Sequence, residues 1–171
     1  MWDEGYTIIG AGHQGLAMAA HLSLCGVPCH LWNRTPEHIA RILETKAITC
    51  HGVVEGMAQL EDATSDLERA LRRVLLITTP SSAHEDLARR LAPFVTRDQV
   101  IILNPGRTFG ALSFLDALRD AGAVGIPVIA ETQTIVYTCR RSGTTDVTIF
   151  ALKDHVQIAA IRPDDTTRAM K

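Results

Sequence analysis

The sequence predicts an α/β protein with a doubly wound, mostly parallel sheet and an antiparallel β edge at its C-terminal end. Strand-like and helix-like segments alternate from the N-terminus through Glu131. The apolar runs at residues 74–78 and 100–103 have no polar side, which is typical of strands buried on both faces of a parallel sheet. After Thr134, three strand-like segments follow one another without a helix between them, which indicates antiparallel pairing.

A glycine-rich loop lies between the first strand-like segment and the first helix-like one. Gly10, Gly12 and Gly15 have the spacing Gly-X-Gly-X-X-Gly, which suits a tight turn, close approach of backbone to a pyrophosphate, and close helix–strand packing, respectively. The free N–H groups and positive dipole end of the helix would face the phosphates. This pattern predicts a Rossmann-type dinucleotide site, with His13 and Gln14 as further candidate contacts. The alternative is a tight glycine turn without a ligand.

The end of the second predicted strand carries the information on cofactor choice. An acidic residue about 20 positions after the glycines would bind a ribose 2′-OH, whereas an arginine accommodates a 2′-phosphate. Asn33, Arg34 and Thr35 occupy this position, and no carboxylate follows until Glu37. The sequence therefore favours NADP and leaves NAD as the alternative. Arg34 could also be an ordinary solvated side chain, since arginine is common on surfaces.

Polar residues follow three of the later predicted strands. Because ligands bind outside the carboxyl ends of the strands in such sheets, these residues are candidate cofactor contacts. The alternative is that they form strand-to-helix turns. The candidates are Thr79, Pro80, Asn104, Glu131 and Thr132.

Three further segments lead to specific expectations. Weak alternation over residues 47–60 predicts a short antiparallel pair, and residues 61–64 resemble a polar turn. Ser65 and Glu68 have the spacing of a capping box, which predicts a helix with Ser65 as its N-cap. Residues 163–171 are polar and are expected to form a linker or a frayed end.

The composition excludes several classes of function. The 171 residues are 46% hydrophobic and 21% charged, with a net charge of −2, so neither nucleic acid nor a membrane is an expected partner. The acidic residues 1–5 do not form a signal peptide, and a cytoplasmic location is expected. Cys25 and Cys29 are close in sequence, but no second Cys/His pair has zinc spacing. No metal site is therefore predicted.

Four segments together resemble the octopine/nopaline (opine) dehydrogenase family. They are residues 10–15, 104–106, 131–134 and 137–140. The resemblance covers essentially the whole chain. Residues 131–140 are its more specific part, because the glycine motif also occurs in glycerol-3-phosphate dehydrogenases, ketopantoate reductases and 6-phosphogluconate dehydrogenases.

The resemblance implies an oxidoreductase that condenses an amino acid with a 2-keto acid, through an imine that NAD(P)H reduces. Gly10, Gly12 and Gly15 would hold the pyrophosphate. The residues at the second strand end would meet the adenosine ribose or its phosphate, and those after the later strands would line the nicotinamide side. Glu131 and Thr132 would face the crevice between cofactor and substrate.

The resemblance also implies a further domain. Family members continue into a helical domain that supplies the amino-acid site and the catalytic histidine with its acidic partner. We therefore expect residues 1–162 to form an NAD(P)-binding Rossmann domain and residues 163–171 to begin the linker to that helical domain. The chain by itself is expected to bind cofactor and to catalyse poorly or not at all.

Two other functions remain open from the sequence. One is a stand-alone NADP-binding module, regulatory in role or completed by a partner chain. The other is the cofactor domain of an enzyme related to glycerol-3-phosphate dehydrogenase or ketopantoate reductase. Substrate choice belongs to the half of the protein that would follow residue 171.

Overall fold

A computed structural model describes residues 5–170 of the chain. The expectation about residues 1–5 therefore lies almost wholly outside the described residues, as does Lys171. A seven-stranded sheet forms the centre of the molecule, and a four-stranded sheet lies beside it. The strands are β1 Tyr6–Ile9, β2 Cys29–Trp32, β3 Ala47–Gly52, β4 Gly56–Gln59, β5 Asp62–Thr64, β6 Val74–Ile77, β7 Val100–Leu103, β8 Val128–Thr132, β9 Tyr137–Arg141, β10 Asp146–Leu152 and β11 Ile158–Ala160.

Six α-helices connect or flank these strands. Short 3₁₀ helices at Pro36–Ile39 and Ser81–Ala83 lead into the second and the fourth of them. The helices are α1 His13–Leu24, α2 Ala40–Thr45, α3 Leu67–Ala70, α4 His84–Leu91, α5 Gly110–Asp120 and α6 Pro163–Ala169. None of the helices within residues 5–170 is long and apolar enough to cross a membrane.

The strand order of the large sheet is β11-β8-β7-β6-β1-β2-β5, and all neighbours are parallel except β11 and β8. The chain runs outward from β1 to β2 and β5, and then returns to continue from β6 in the other direction. The order therefore reverses between β1 and β6, where doubly wound sheets bind ligands at the carboxyl ends of their strands. The predicted doubly wound α/β fold is confirmed.

Two apolar cores cover the two faces of the large sheet. On one face, α4 and α5 pack through Leu87, Leu91 and Phe114. On the other face, α1 lies between the large sheet and the small one, so that Leu16 and Ile149 belong to the same core. Because α1 is covered on both sides, its central residues are almost all buried.

The C-terminal strands differ in part from the expectation of a single antiparallel edge. The antiparallel edge itself is confirmed, because β11 pairs with β8 at the border of the large sheet. The other two strands, β9 and β10, pair with each other and with β3 in the small sheet. The antiparallel pair of β3 and β4 is confirmed, although it also belongs to the small sheet. Local strand patterns do not specify which sheet a strand joins, because pairing partners can be distant in the sequence.

Two local expectations are wrong. Residues 61–64 are not a polar turn, because β5 extends the large sheet beside β2. Its buried Asp62 is neutralised by two cations, with Lys46 Nζ 3.2 Å from Oδ1 and Arg69 Nη2 2.8 Å from Oδ2. The N-cap of α3 is Asp66, whose Oδ1 accepts from Arg69 N at 3.2 Å, rather than Ser65.

Residues 163–169 form α6 rather than a frayed end, and the expectation that a linker begins at residue 163 stays a prediction. A proline in the first turn of α6 and Asp164 and Asp165 beside it favour a helix start. The helix packs against β11 and β8, and Arg168 Nη2 donates to Arg97 O at 2.9 Å.

Candidate functional site

The glycine loop turns sharply at the carboxyl end of β1. Gly10 has a φ of +104°, and Thr78 Oγ1 donates to its carbonyl oxygen at 3.1 Å. A Cβ atom on Gly15 would lie 1.8 Å from that same oxygen. Gly10 and Gly15 are therefore required by the fold of the loop itself, as the sequence pattern predicts.

Gly12 is different, because the fold of the described residues does not require a glycine there. It is the N-cap of α1 with ordinary backbone angles, and a Cβ atom on it would meet nothing within 4 Å. No side chain caps the helix, and its first turn has no acidic residue. Open space thus faces the positive end of a 12-residue helix, which is suitable for an anionic ligand such as a pyrophosphate.

The two candidates inside the loop point toward the small sheet. Gln14 Nε2 donates to Tyr137 O at 2.9 Å and to Cys139 Sγ at 3.1 Å. His13 Nδ1 accepts from Arg141 N at 2.9 Å, which leaves the proton of the neutral ring on Nε2, exposed to solvent. A cofactor contact of His13 through Nε2 remains a prediction, as does one of Gln14 through its backbone.

Arg141 binds the glycine loop to the small sheet, a role that no sequence pattern indicates. Its guanidinium donates to four backbone carbonyls in three segments: Ala11 O at 3.2 Å, His38 O at 2.7 Å, Gly143 O at 2.8 Å and Thr144 O at 2.9 Å. Ala11 is 130 residues distant in sequence, so no local pattern connects the two. Within residues 5–170, no acidic side chain forms an ion pair with Arg141, so its charge adds to the positive end of α1.

Asn33, at the end of β2, fixes the second part of the site. Its Oδ1 accepts from Ala11 N at 3.1 Å, and its Nδ2 donates to Thr35 O at 2.8 Å. The side chain therefore connects the glycine loop to the residues after β2, in addition to any contact with a ribose. Thr35 directly precedes the 3₁₀ helix as its N-cap, although its side chain makes no capping hydrogen bond.

A cleft of about 210 Å³ brings the predicted residues of three strand ends together. Gly10, Arg34 and Thr35 line it from the β1 and β2 side, and Thr79 and Pro80 line it from the end of β6. This is the point at which the strand order reverses. The arrangement confirms that these residues lie together, and it leaves their contact with a cofactor as a prediction.

The cleft also contains a carboxylate that the sequence reasoning missed. Asp86 on α4 lines it, and its Oδ2 lies 2.8 Å from Arg90 Nε and 3.5 Å from Arg34 Nη1. The hydrogen bond from Arg90 lowers the pKa of Asp86 below its ordinary value, so the carboxyl group is ionised at neutral pH. The sequence has no carboxylate between Asn33 and Glu37, but the folded cleft does contain one, because the fold brings α4 to the end of β2.

Thr79 has the clearest unmet hydrogen-bonding capacity in the cleft. Its Oγ1 is buried and has no hydrogen-bond partner among the described residues. His84 Nε2 donates to Thr79 O at 3.2 Å and so holds the backbone after β6 in place. Burial lowers the pKa of His84 below its ordinary value, which favours this neutral ring. An unpartnered hydroxyl beside the glycine loop fits a polar ligand.

The remaining candidates lie beyond this cleft. Asn104 is buried, and its Oδ1 accepts from Thr132 Oγ1 at 3.1 Å on the side of the sheet that α1 covers. Glu131 Oε2 instead accepts from Ala111 N at 2.7 Å, at the start of α5. Neighbouring residues of a strand point to opposite faces, so the Glu131 and Thr132 side chains lie on opposite faces of β8, and their contact with a cofactor or substrate stays a prediction.

A dinucleotide fits these observations of residues 5–170. The loop offers open backbone and a helix N-terminus, Thr79 offers a free hydroxyl, and the cleft offers cations at the end of β2. Among the same residues, no three His, Cys, Asp or Glu side chains are grouped so that they could hold a metal ion.

The fold and the glycine loop define an NAD(P)-binding oxidoreductase domain of the Rossmann type. The sequence matches the family described as NAD-dependent glycerol-3-phosphate dehydrogenase N-terminus over residues 6–106, which is more than half of the chain. The chain therefore belongs to this family.

Curated relatives connect it more specifically to opine dehydrogenases. An opine dehydrogenase of Arthrobacter sp. (strain 1C) is 35% identical over 162 residues, which cover 93% of this chain and 45% of that protein. A glycerol-3-phosphate dehydrogenase of Halorhodospira halophila (strain DSM 244 / SL1) is 34% identical over 125 residues, or 72% of this chain and 37% of that protein. The predicted resemblance to the N-terminal NAD(P)-binding domain of opine dehydrogenases is confirmed, and the chain spans less than half of these relatives.

Solved structures show the same fold. An octopine dehydrogenase structure with NADH and pyruvate has a TM-score of 0.81 at 19% identity, and the match covers 93% of this chain and 43% of that one. A yersinopine dehydrogenase with NADP+ bound has a TM-score of 0.72 at 15% identity, with coverage of 92% and 41%. A probable 2-dehydropantoate 2-reductase from Bacillus subtilis has a TM-score of 0.70 at 19% identity, with coverage of 96% and 53%.

Proposed function

We propose that this chain is the cofactor-binding part of an opine-type oxidoreductase, which joins an amino acid to a 2-keto acid by reduction with NAD(P)H. The observation that carries the proposal is the cleft that unites Gly10, Arg34 and Thr79 at the reversal point of the sheet. The opine dehydrogenase of Arthrobacter sp. supports it, because the similarity extends over 93% of this chain.

Each part of the site has a proposed role in holding the cofactor, which supplies a hydride when bound. The backbone of the loop from Gly10 to Gly15 binds the pyrophosphate, and His13 Nε2 donates a further hydrogen bond to it. Asn33 and Thr35 contact the adenosine ribose. Thr79 donates its free hydroxyl to the cofactor, with Pro80 packing beside it.

The nicotinamide end is proposed to lie near the carboxyl ends of β7 and β8. Asn104 and Thr132 are joined by a hydrogen bond there, so together they form a polar wall on the α1 side. Glu131 caps α5 through Ala111 N and thereby fixes the backbone at the end of β8. Its role is thus proposed to be the positioning of Thr132, with the second carboxylate oxygen available to the substrate side.

For the cofactor itself, we propose a preference for NADPH over NADH. Arg34 supports it, because the residues directly after β2 provide a guanidinium and no carboxylate. The yersinopine dehydrogenase with NADP+ bound and the octopine dehydrogenase with NADH share this fold, so the fold is compatible with either cofactor. The choice therefore depends on the side chains around the 2′ position.

The substrate groups are proposed to lie in a helical domain or a partner chain outside these 171 residues. The chain spans 45% of the Arthrobacter protein and 43% of the octopine dehydrogenase chain. The proposed location is the cytoplasm, which agrees with the four cysteines being free thiols.

A second candidate is the cofactor domain of a glycerol-3-phosphate dehydrogenase, and the family match over residues 6–106 favours it. The two candidates differ in the substrate of the complete enzyme. Oxidation of NAD(P)H with dihydroxyacetone phosphate would favour the second, and oxidation with a 2-keto acid plus an amino acid would favour the first. A stand-alone NADP-binding module would show neither activity.

Fluorescence titration of the chain with NADPH and NADH tests the central proposal. We expect a Kd below about 1 mM for at least one cofactor, and binding of neither would refute the function.

Arg34→Ala is expected to weaken the binding of NADPH by about 1.5–3 kcal/mol, the size of one charge-assisted contact. The same substitution should leave the binding of NADH nearly unchanged. Arg41→Ala is the matched control, because Arg41 is an exposed arginine that pairs with Glu44 away from the cleft. If Arg34→Ala weakened the binding of both cofactors equally, the proposed role of Arg34 at the 2′-phosphate would be refuted.

A further inference from the structure

Three charged side chains form a compact cluster inside the proposed cofactor cleft. A single oxygen of Asp86, Oδ2, lies 2.8 Å from Arg90 Nε and 3.5 Å from Arg34 Nη1. All three residues line the cleft, and about half or more of each side chain is exposed. Exposed ion pairs contribute little to folding stability, so an incoming anion can replace Asp86 at either arginine.

The cluster lies on the side of the cleft that the residues after β2 form. Asn33, Thr35 and His38 line the cleft beside it. In a sheet of this type, the residues after the second strand meet the adenosine ribose. The two arginines are thus placed where the cofactors NADPH and NADH differ, which is the 2′ position of that ribose.

We propose that Asp86 and Arg90 on α4, together with Arg34, set the choice between NADPH and NADH. The guanidinium groups of Arg34 and Arg90 bind the 2′-phosphate. Asp86 pairs with both of them when no phosphate is bound, and it competes with the phosphate when NADPH binds. The proposal rests on the proposed cofactor function and adds two residues to it.

The competition follows from charge. A phosphate monoester carries about −1.5 to −2 charges at pH 7, and guanidinium groups bind it through paired hydrogen bonds. Asp86 holds both guanidinium groups at one oxygen, so a phosphate that bridges them approaches a carboxylate of like charge. NADH has only a hydroxyl at this position, and therefore it neither requires the arginines nor is repelled by Asp86.

The test uses two charge-removing variants of α4, Asp86→Asn and Arg90→Met. Kd values for NADPH and NADH are measured by fluorescence titration at low ionic strength, where such interactions are least screened. Asp86→Asn is expected to lower the Kd of NADPH about tenfold, or 1.4 kcal/mol. The Kd of NADH should change less than twofold. Arg90→Met is expected to weaken NADPH about tenfold, again with NADH nearly unchanged. Raising the salt concentration should reduce both effects.

The same helix provides matched controls. Glu85 and Arg89 also form an ion pair four residues apart, at positions adjacent in sequence to Asp86 and Arg90 but outside the cleft. Glu85→Gln and Arg89→Met remove the same charges from the same helix. They are expected to leave the ratio of the two Kd values unchanged, which separates a local effect from the change in net charge.

The outcomes distinguish this inference from the function on which it rests. If the unmodified chain binds neither cofactor, the proposed function fails. If it binds a cofactor but Asp86→Asn leaves the NADPH to NADH ratio unchanged, the role of Asp86 is refuted while the function stands. A loss of NADH affinity in Asp86→Asn would likewise overturn the inference, because it would show Asp86 accepting from the ribose 2′-OH. Circular dichroism of each variant confirms that α4 is intact.

Discussion

Gly12 and Gly15 lie three residues apart in one loop, and the structure gives them different reasons for being glycine. A side chain at Gly15 would collide with Gly10 O, because α1 packs directly on the turn. A side chain at Gly12 would meet no atom within 4 Å, and its backbone angles suit any residue. Gly15 therefore serves the fold, whereas Gly12 fits the proposed approach of a ligand to the open end of α1.

This difference predicts opposite effects of two alanine substitutions. Gly12→Ala is expected to change the free energy of unfolding by less than about 0.5 kcal/mol. It should raise the Kd of NADPH and of NADH at least about tenfold, because a methyl group would occupy the proposed space of the pyrophosphate. Gly15→Ala is expected to destabilise the fold by about 1–3 kcal/mol through overpacking. Thermal denaturation and cofactor titration of both variants test this. Unaltered cofactor affinity in Gly12→Ala would contradict the placement of the pyrophosphate.

At the scale of elements, the small sheet acts on the site through its contact with the glycine loop. β9 ends at Arg141, which donates to carbonyls of the loop, of the 3₁₀ helix after β2 and of its own turn. Two residues before it on the same strand, Cys139 Sγ donates to His13 O at 3.3 Å and accepts from Gln14 Nε2, and burial raises the pKa of this thiol to about 11. The thiol is therefore protonated at neutral pH and acts as a hydrogen-bond donor. The loop is thus held from a second sheet as well as from β1.

Arg141→Gln is expected to loosen this connection. Loss of the guanidinium contacts should destabilise the chain by about 1–3 kcal/mol and raise the Kd of NADH and NADPH by the same factor, about 3- to 10-fold, because both cofactors share the pyrophosphate. Arg140→Gln is the matched control, since Arg140 is the exposed neighbour on the other face of β9. Denaturant unfolding and titration measure both quantities. A selective loss of NADPH alone would indicate a 2′-phosphate contact instead of a positioning role.

At the scale of the whole molecule, the described residues form the proposed cofactor cleft, and the proposed nicotinamide end is open to solvent. Phe109 is 71% exposed and Leu112 is 44% exposed beside Glu131 at the start of α5. Hydride transfer requires a substrate held against the nicotinamide in a site that excludes water. The chain spans less than half of its curated relatives, so the groups that hold the substrate are proposed to lie outside it.

The chain of 171 residues is therefore expected to bind cofactor without turning it over. With NADPH or NADH, pyruvate and a set of L-amino acids, absorbance at 340 nm should decline no faster than in a sample containing Gly15→Ala, in which the added Cβ atom would clash with the glycine loop. Addition of the proposed helical domain as a separate chain should restore oxidation if the two parts associate. Oxidation above background by the chain alone would show that its catalytic groups lie within these residues.

The sequence by itself determined the parts of this protein that depend on local pattern. The glycine spacing from Gly10 to Gly15, the buried apolar strands and the polar residues after them predict the doubly wound sheet and six of the cleft-lining residues, because each pattern lies in consecutive or nearly consecutive positions.

The tertiary structure alone decided which distant residues meet. Asp86 and Arg90 reach Arg34 because α4 crosses to the end of β2, and Arg141 reaches Ala11 because β9 joins a second sheet. These contacts join residues separated by about 50 to 130 positions, and their formation depends on how whole elements pack. Packing also explains why residues 62–64 form a strand. The carboxylate of Asp62 is paired with Lys46 and Arg69 only in the folded chain.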